Sequence, residues 1–321
     1  YELSAELDTL GCDNFDGKLT TAFTAHPKLC PETGELHFFG YSPVAPFLTY
    51  HVLDASGALV HSAEIKVAAG TMMHDFMITR DHAIFMDLPV VFDLSNMQAP
   101  LKWDESYGAR IGIVPRMGTD ADVHWFEIDP CYVFHPLNAY VDGDTVVCDV
   151  GRHEYMWRDS MNDFPPSYMH RWTFDLANGT SGEQQLDGDA HAFPRIDDRW
   201  TGLKHRHGYT GAILGEKLPG SPFDTIVHFD LAKNARETWS PGPGDFVMEP
   251  VIASKTATKA EAGGYLLTVV FRGNENRSDL VILDAQNVKA GPIATAKLPV
   301  RVPFGFHGNW NSLNGATHQH E

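Results

Sequence analysis

LTYHVLDASGALVHSAEIKV, residues 48–67, is a pair of β-rich runs joined by Asp54-Ala55-Ser56-Gly57, a compact polar connection of the kind that links antiparallel neighbours. The same grammar continues in both directions. ELHFFGY (35–41), AIFMDLPVVFDL (83–94), TVVCDVGRH (145–153), HRWTFDLANGT (170–180), TIVHFDL (225–231), GYLLTVVFR (264–272) and DLVILDA (279–285) are further β-runs. Residues 175–179 (DLANG) and 273–276 (GNEN) are two more polar turns. No long amphipathic helix interrupts them, so the chain is expected to be all-β. An antiparallel chain of this length must close into a barrel, stack as sandwiches or repeat radially as a propeller, because each solution limits exposed strand edges. Pattern alone leaves the three open. A loose recurrence, a β-run ending in Phe-Asp or Leu-Asp before a polar turn, favours the propeller; it occurs at Phe92–Asp93, Phe174–Asp175, Phe229–Asp230 and Leu283–Asp284. Residues 216–222 and 255–264 are expected to be exposed loops, and no linker divides the chain, so residues 1–321 are read as one domain.

The bulk composition narrows the function. The 321 residues carry a formal charge of −18, which opposes nucleic-acid binding, since that affinity rests on Lys and Arg neutralising phosphates. No apolar run approaches the length of a membrane-spanning helix, so the chain reads as soluble and cytoplasmic. Cys12, Cys30, Cys131 and Cys148 form no C-x-x-C pair and are expected to be reduced, buried thiols. The first residue is Tyr1, within a strand-and-turn segment, which suggests numbering that begins part-way through a longer protein.

Histidine is the unusual entry in the composition, with 17 residues. Four sit in dense apolar or turn-forming contexts: His26 in TAHPKLCPETGEL, His74 in MMHDFMITRDHAIF, His135 in CYVFHPLNAY and His307 in VPFGFHGNW. A buried imidazole needs a hydrogen bond or a metal. Each one alone reads more readily as a satisfied core residue than as a ligand. Their separations of 48, 61 and 172 residues require four distant segments to converge if they share a site, and a propeller axis provides such a meeting point.

Taken in this order, the segments resemble the carotenoid cleavage oxygenase family, in particular its bacterial lignostilbene dioxygenase-like branch. The likeness runs nearly end to end, through LDTLGCDNFDGKLTTAFTAHPK (7–28), MMHDFMIT (72–79), YVFHPLNAY (132–140), FPRID (193–197), MEPVIA (248–253) and VPFGFHGNW (302–310). The stilbene-cleaving branch is favoured by GYSPVAPFLTYHVLDASGALV (40–60). The resemblance implies a seven-bladed β-propeller whose N-terminal part is missing from this chain. It also implies a ferrous ion, Fe(II), held by His26, His74, His135 and His307. The implied activity is dioxygenase cleavage of a conjugated C=C bond in a stilbenoid, carotenoid or apocarotenoid, with O₂ and a hydrophobic small molecule as reactants. A retinoid isomerohydrolase-like iron enzyme and an inactive propeller are the alternatives, and homo-oligomerisation is left open.

Metal-bound imidazoles are commonly oriented through their other N–H by a carboxylate, and the resemblance assigns Glu249 that role for one histidine. At the position of a second such glutamate, before FPRI, this chain has Ala192; Asp189, water or a backbone carbonyl is the candidate substitute. A third should precede Tyr1, and Glu2 is not it. Phe134, Phe306 and Trp310 are candidate walls of the substrate pocket. His37, His51, His82, His205 and His207 are assigned ordinary roles.

Overall fold

A computed structural model describes residues 1–4, 6–214, 222–255 and 258–311. After a short pair of strands, Glu2–Leu3 with Thr9–Gly11, the chain forms five successive antiparallel blades. The first comprises Lys28–Leu29, Leu36–Tyr41, Leu48–Leu53 and Leu59–Glu64, so the hairpin at 48–67 forms its outer half, with Thr49 opposite Glu64. The second comprises Met77–Ile78, His82–Asp87, Arg110–Pro115 and His124–Glu127. A two-stranded ribbon, Val90–Phe92 with Leu101–Trp103, branches from it. The third comprises Tyr132–Asp142, Thr145–His153, Ser167–Asp175 and Thr180–Gln185; the fourth, Ala190–Arg195, His207–Ile213, Thr225–Asp230 and Ala235–Trp239. The fifth begins with two short segments, Asp245–Val247 and Val251–Ser254, on one neighbour, Gly264–Arg272. It continues through Arg277–Asp284 to Pro292–Lys297.

The architecture is a β-propeller because the apolar clusters lie between consecutive blades. Phe39, Tyr50, Phe76 and Phe85 join the first two blades, and Met86, Ile111, Tyr132 and Trp172 join the second to the third. Leu137, Met169, Val227 and Phe229 follow, then Tyr209, Ile226, Val270 and Val281. All six residues of Leu48–Leu53 are buried, because the second blade covers one face and the N-terminal segment, through Phe15, Leu19 and Thr21, covers the other. Each fully buried Phe in these junctions contributes about 1.5–3 kcal/mol. The outermost strands do the opposite: Thr180–Gln185 and Pro292–Lys297 are exposed throughout. Their polar residues, an initial proline and a terminal lysine discourage pairing with other chains.

The Phe/Leu-Asp recurrence has a structural cause. Asp175, Asp230 and Asp284 close the third strand of the third, fourth and fifth blades, and each carboxylate accepts a backbone N–H from the next turn: Ala177 and Asn178, Lys233, and Gln286. Asp54 does the same for Ser56 in the first blade. Asp93 likewise accepts the Ser95 N–H at 3.1 Å, but in the ribbon and not at a blade's third strand.

Two other expectations are corrected. Cys12 is exposed, whereas Cys30, Cys131 and Cys148 are buried; all four are free thiols. The 255–264 segment is a loop, but its described part is not wholly exposed. Ala262 is buried and donates its N–H to Asp197 at 3.1 Å, tying the fifth blade to the fourth. Of residues 216–222, all but Pro222 lie outside the described residues. No helix is long and apolar enough to cross a membrane among the described residues.

Candidate metal centre

Three of the four histidines lie in or just ahead of the first strands of the first three blades, and the fourth lies in the C-terminal segment. His26 and His74 lie just ahead of the short first strands of the first two blades, and the His26 N–H is held by Thr24 Oγ1 at 3.1 Å. His135 lies within Tyr132–Asp142, where the pairing register shifts between Val133 and Pro136 and again before Asn138. Pro136 has no N–H to give the ladder, so the strand bulges there and its side-chain alternation is re-aimed. His307 sits in residues 299–311, which form no strand.

Their ring nitrogens meet. One nitrogen from each lies within 4.8 Å of the others, and the group is the one such His, Cys or carboxylate cluster among the described residues. His74 Nε2 is 3.1 Å from His26 Nε2 and 3.2 Å from His135 Nε2. The rings are splayed, with interplanar angles of 57° to 86°. Two ligand atoms at right angles around a metal at about 2.1 Å sit about 3 Å apart, so these separations fit a shared cation. A single imidazole nitrogen carries either one proton or one lone pair, and one ring nitrogen facing two others is poorly served by hydrogen bonds alone.

Electrostatics favour the neutral form that ligation requires. Burial pushes His26 down to about 3, with Lys28 and His307 adding to the effect, and burial followed by His26 brings His74 to about 4. His135 is pushed far below the ordinary imidazole range, chiefly by burial and then by its neighbours His74 and His26. The donor set is all imidazole, which suits iron, zinc, copper or nickel.

Around the ligands, Glu249 accepts from His307 Nδ1 at 3.1 Å and from the Gly308 N–H at 2.7 Å. Burial alone would raise the Glu249 carboxyl, but the His307 hydrogen bond, Arg195 and the Gly308 N–H outweigh it and hold it below the usual carboxylate range. No carboxylate accepts from His135 Nδ1 among the described residues. Asp189 does not fill that role: it pairs with Arg236, as does Asp187. Beside His26, Asp75 lies 3.9 Å from Nδ1 and is bound by Lys28 Nζ at 2.7 Å. The ordinary histidines find partners elsewhere: His37 with Tyr50, His51 with Thr21 and Ser62, His82 with Thr79, His205 with Asn138, and His207 with His228.

Two surroundings meet at the cluster. A cavity of about 440 Å³ reaches His26, His135 and His307 past Lys28, Asp75, Asn138 and Arg195. An aromatic group that does not line that cavity packs against the same histidines. The Phe134 ring meets His74 edge-on at 5.3 Å and stacks on Phe164 at 5.5 Å. Phe193 lies 5.7 Å from His135 and 5.6 Å from His307. Nothing in FPRID marks Phe193 for this role; its φ of 51° in the left-handed region is unusual for an aromatic residue and has no sequence signature. Phe306 and Trp310 are 78% and 52% exposed and stack on none of the four imidazoles among the described residues.

The retinal pigment epithelial membrane protein family matches residues 1–312. The chain belongs to this family. This member of the retinal pigment epithelial membrane protein family is 35% identical to a carotenoid cleavage oxygenase of Mycobacterium tuberculosis, over 97% of this chain and 72% of that protein. It is 34% identical to an isoeugenol monooxygenase of Pseudomonas nitroreducens, over 97% of this chain and 70% of that protein. The crystal structure of a lignostilbene dioxygenase from Pseudomonas brassicacearum superposes with a TM-score of 0.87 at 31% identity, covering 95% of this chain and 69% of that one. The resemblance to carotenoid cleavage oxygenases, read from the motifs, therefore stands.

Proposed function

We propose that this chain is an oxygenase that cleaves a conjugated carbon–carbon double bond, in a stilbenoid or in a carotenoid or apocarotenoid, to two carbonyl products. We read residues 1–321 as one propeller domain for this purpose, with His26, His74, His135 and His307 as ligands of Fe(II). The observation that carries the reading is the convergence of four imidazoles from four distant segments. The similarity to a carotenoid cleavage oxygenase, an isoeugenol monooxygenase and a lignostilbene dioxygenase supplies the reaction class.

When bound, iron supplies the activation of O₂ and the delivery of oxygen to the two alkene carbons. The protein supplies position and charge. Glu249 accepts the His307 Nδ1 proton, which fixes the tautomer and leaves Nε2 free to face the centre. Phe134, Phe164 and Phe193 form an aromatic group against which a planar conjugated substrate can stack. The cavity beside the other face is lined by Met77, Ile78 and Leu137 as well as by Lys28, Asp75 and Arg195, which gives a substrate both apolar and charged contacts. His135 would ligate without a carboxylate on its Nδ1, since none accepts from it among the described residues.

The test is a product assay. Protein purified anaerobically and loaded with Fe(II) is incubated with a 4-hydroxystilbene and, separately, with an apocarotenoid, while oxygen uptake is followed. Carbonyl products from one substrate class with matching oxygen uptake support the reading. Conversion without oxygen uptake would indicate isomerohydrolase-type chemistry, and no turnover of either class by iron-loaded protein would overturn the enzymatic reading.

A further inference from the structure

His135 lies in a strand and His26 and His74 lie within three residues of one, whereas His307 comes from a longer segment that forms none. Residues 299–311 form no strand, and most are exposed. The segment is tied at its start by Val302, whose N–H donates to Ser278 Oγ at 2.9 Å, and by Phe304, whose ring lies 5.9 Å from Phe271. Beyond Phe304, the polar contacts that place it converge on two buried side chains, Glu249 and Arg195.

Arg195 ends the first strand of the fourth blade, and its guanidinium reaches across to the C-terminal segment. It donates to the Gly308 carbonyl at 3.0 Å and to Asn309 Oδ1 at 3.2 Å, and it lies 3.3 Å from Glu249 Oε1. Glu249 in turn holds His307 Nδ1 and the Gly308 N–H. The side chains of Arg195 and Glu249 are 17% and 4% exposed, so this pair is little screened by solvent. A planar fork with five N–H donors can hold a carbonyl, an amide oxygen and a carboxylate at once, which a lysine ammonium does less well.

We infer that Arg195 is a positioning residue for the metal centre: together with Glu249 it clamps the segment 307–309 and thereby sets the place of His307. The inference rests on the metal-centre reading above. Removing the guanidinium leaves the Glu249 carboxylate buried without its cation and frees the Gly308 carbonyl, so His307 must be ordered by the metal itself. The ordering cost then appears as weaker metal binding.

The experiment uses Co²⁺ as the probe, with affinity read by chelator competition and coordination by the visible ligand-field spectrum. Wild type, Arg195→Met, Arg195→Lys, His307→Ala and the Arg195→Met/His307→Ala double variant are compared, with metal-free circular dichroism as a check of folding. Arg195→Met is expected to weaken Co²⁺ binding by about ten-fold or more and to move the spectrum toward that of His307→Ala. Arg195→Lys should recover part of both, and Arg195→Met should add little in the His307→Ala background. Asn309→Ala, which loosens the clamp from its other side, should shift both readouts less but in the same direction and keeps the test alive if Arg195→Met does not fold. Affinity and spectrum unchanged in Arg195→Met, or an equal loss with and without His307, would overturn the inference. Wild-type protein that takes up no Co²⁺ would instead overturn the metal-centre reading on which it stands.

Discussion

At the scale of single residues, the candidate ligands and the groups that surround them differ in how far the sequence reveals them. His26, His74, His135 and His307 were legible because each lies inside a motif of the carotenoid cleavage oxygenase type; their spacing alone could not join them. Phe193 and Arg195 were not singled out, since nothing in FPRID tells which ring meets an imidazole or which carbonyl a guanidinium reaches. His74→Ala is expected to abolish stoichiometric metal binding and turnover while leaving the far-ultraviolet circular dichroism of the metal-free protein intact; metal analysis beside the assay checks both. The pH dependence follows from the lowered values of His26 and His74, about 3 and 4 against an ordinary 6.5. Between those values the unfolded chain binds protons that the folded chain does not. Stability of the metal-free protein is therefore full above about 6.5 and falls as pH drops toward 4. Thermal melts of chelator-treated protein across that range test the sign. Buried His37, His51, His153, His205 and His228 are lowered too, so His74→Ala should flatten only part of the fall.

At the scale of elements, the strands were legible from β-rich runs and polar turns, and the Phe/Leu-Asp recurrence marks the ends of third strands in three blades. The contacts that register one blade on the next were not. Asn138, buried in the first strand of the third blade, donates to Trp200 O at 3.1 Å and Leu203 O at 2.9 Å and accepts the Gly202 N–H at 3.0 Å. These partners lie more than sixty positions away, and an Asn in a β-run carries no local sign of them. Asn138→Ala strands three backbone groups at the junction and should cost about 3 kcal/mol, measured as a lowered urea midpoint with an unchanged slope. A change under about 0.5 kcal/mol would show that the junction is set by Leu137 and Val227 packing instead.

At the scale of the whole molecule, the candidate centre links parts that share few other ties: the first three blades supply one ligand each and the C-terminal segment supplies the fourth. A metal that binds only the folded arrangement stabilises it by mass action, so chelation should lower the melting temperature of wild type and leave His74→Ala unaffected. Equal melting with and without chelator would argue against a centre that bridges blades. By itself the sequence determined the strand-rich class, the acidic character that opposes polyanions, and, through its motifs, the family and the four histidines. Those are local or compositional properties, carried by residue identity over a few positions. The convergence of the imidazoles, the pairing of Glu249 with His307, the aromatic wall of Phe134 and Phe193, and the exposure of Phe306 and Trp310 were decided only by tertiary structure. Each depends on how separate blades meet at the axis, and distances between segments far apart in the chain are set by packing of the whole ring.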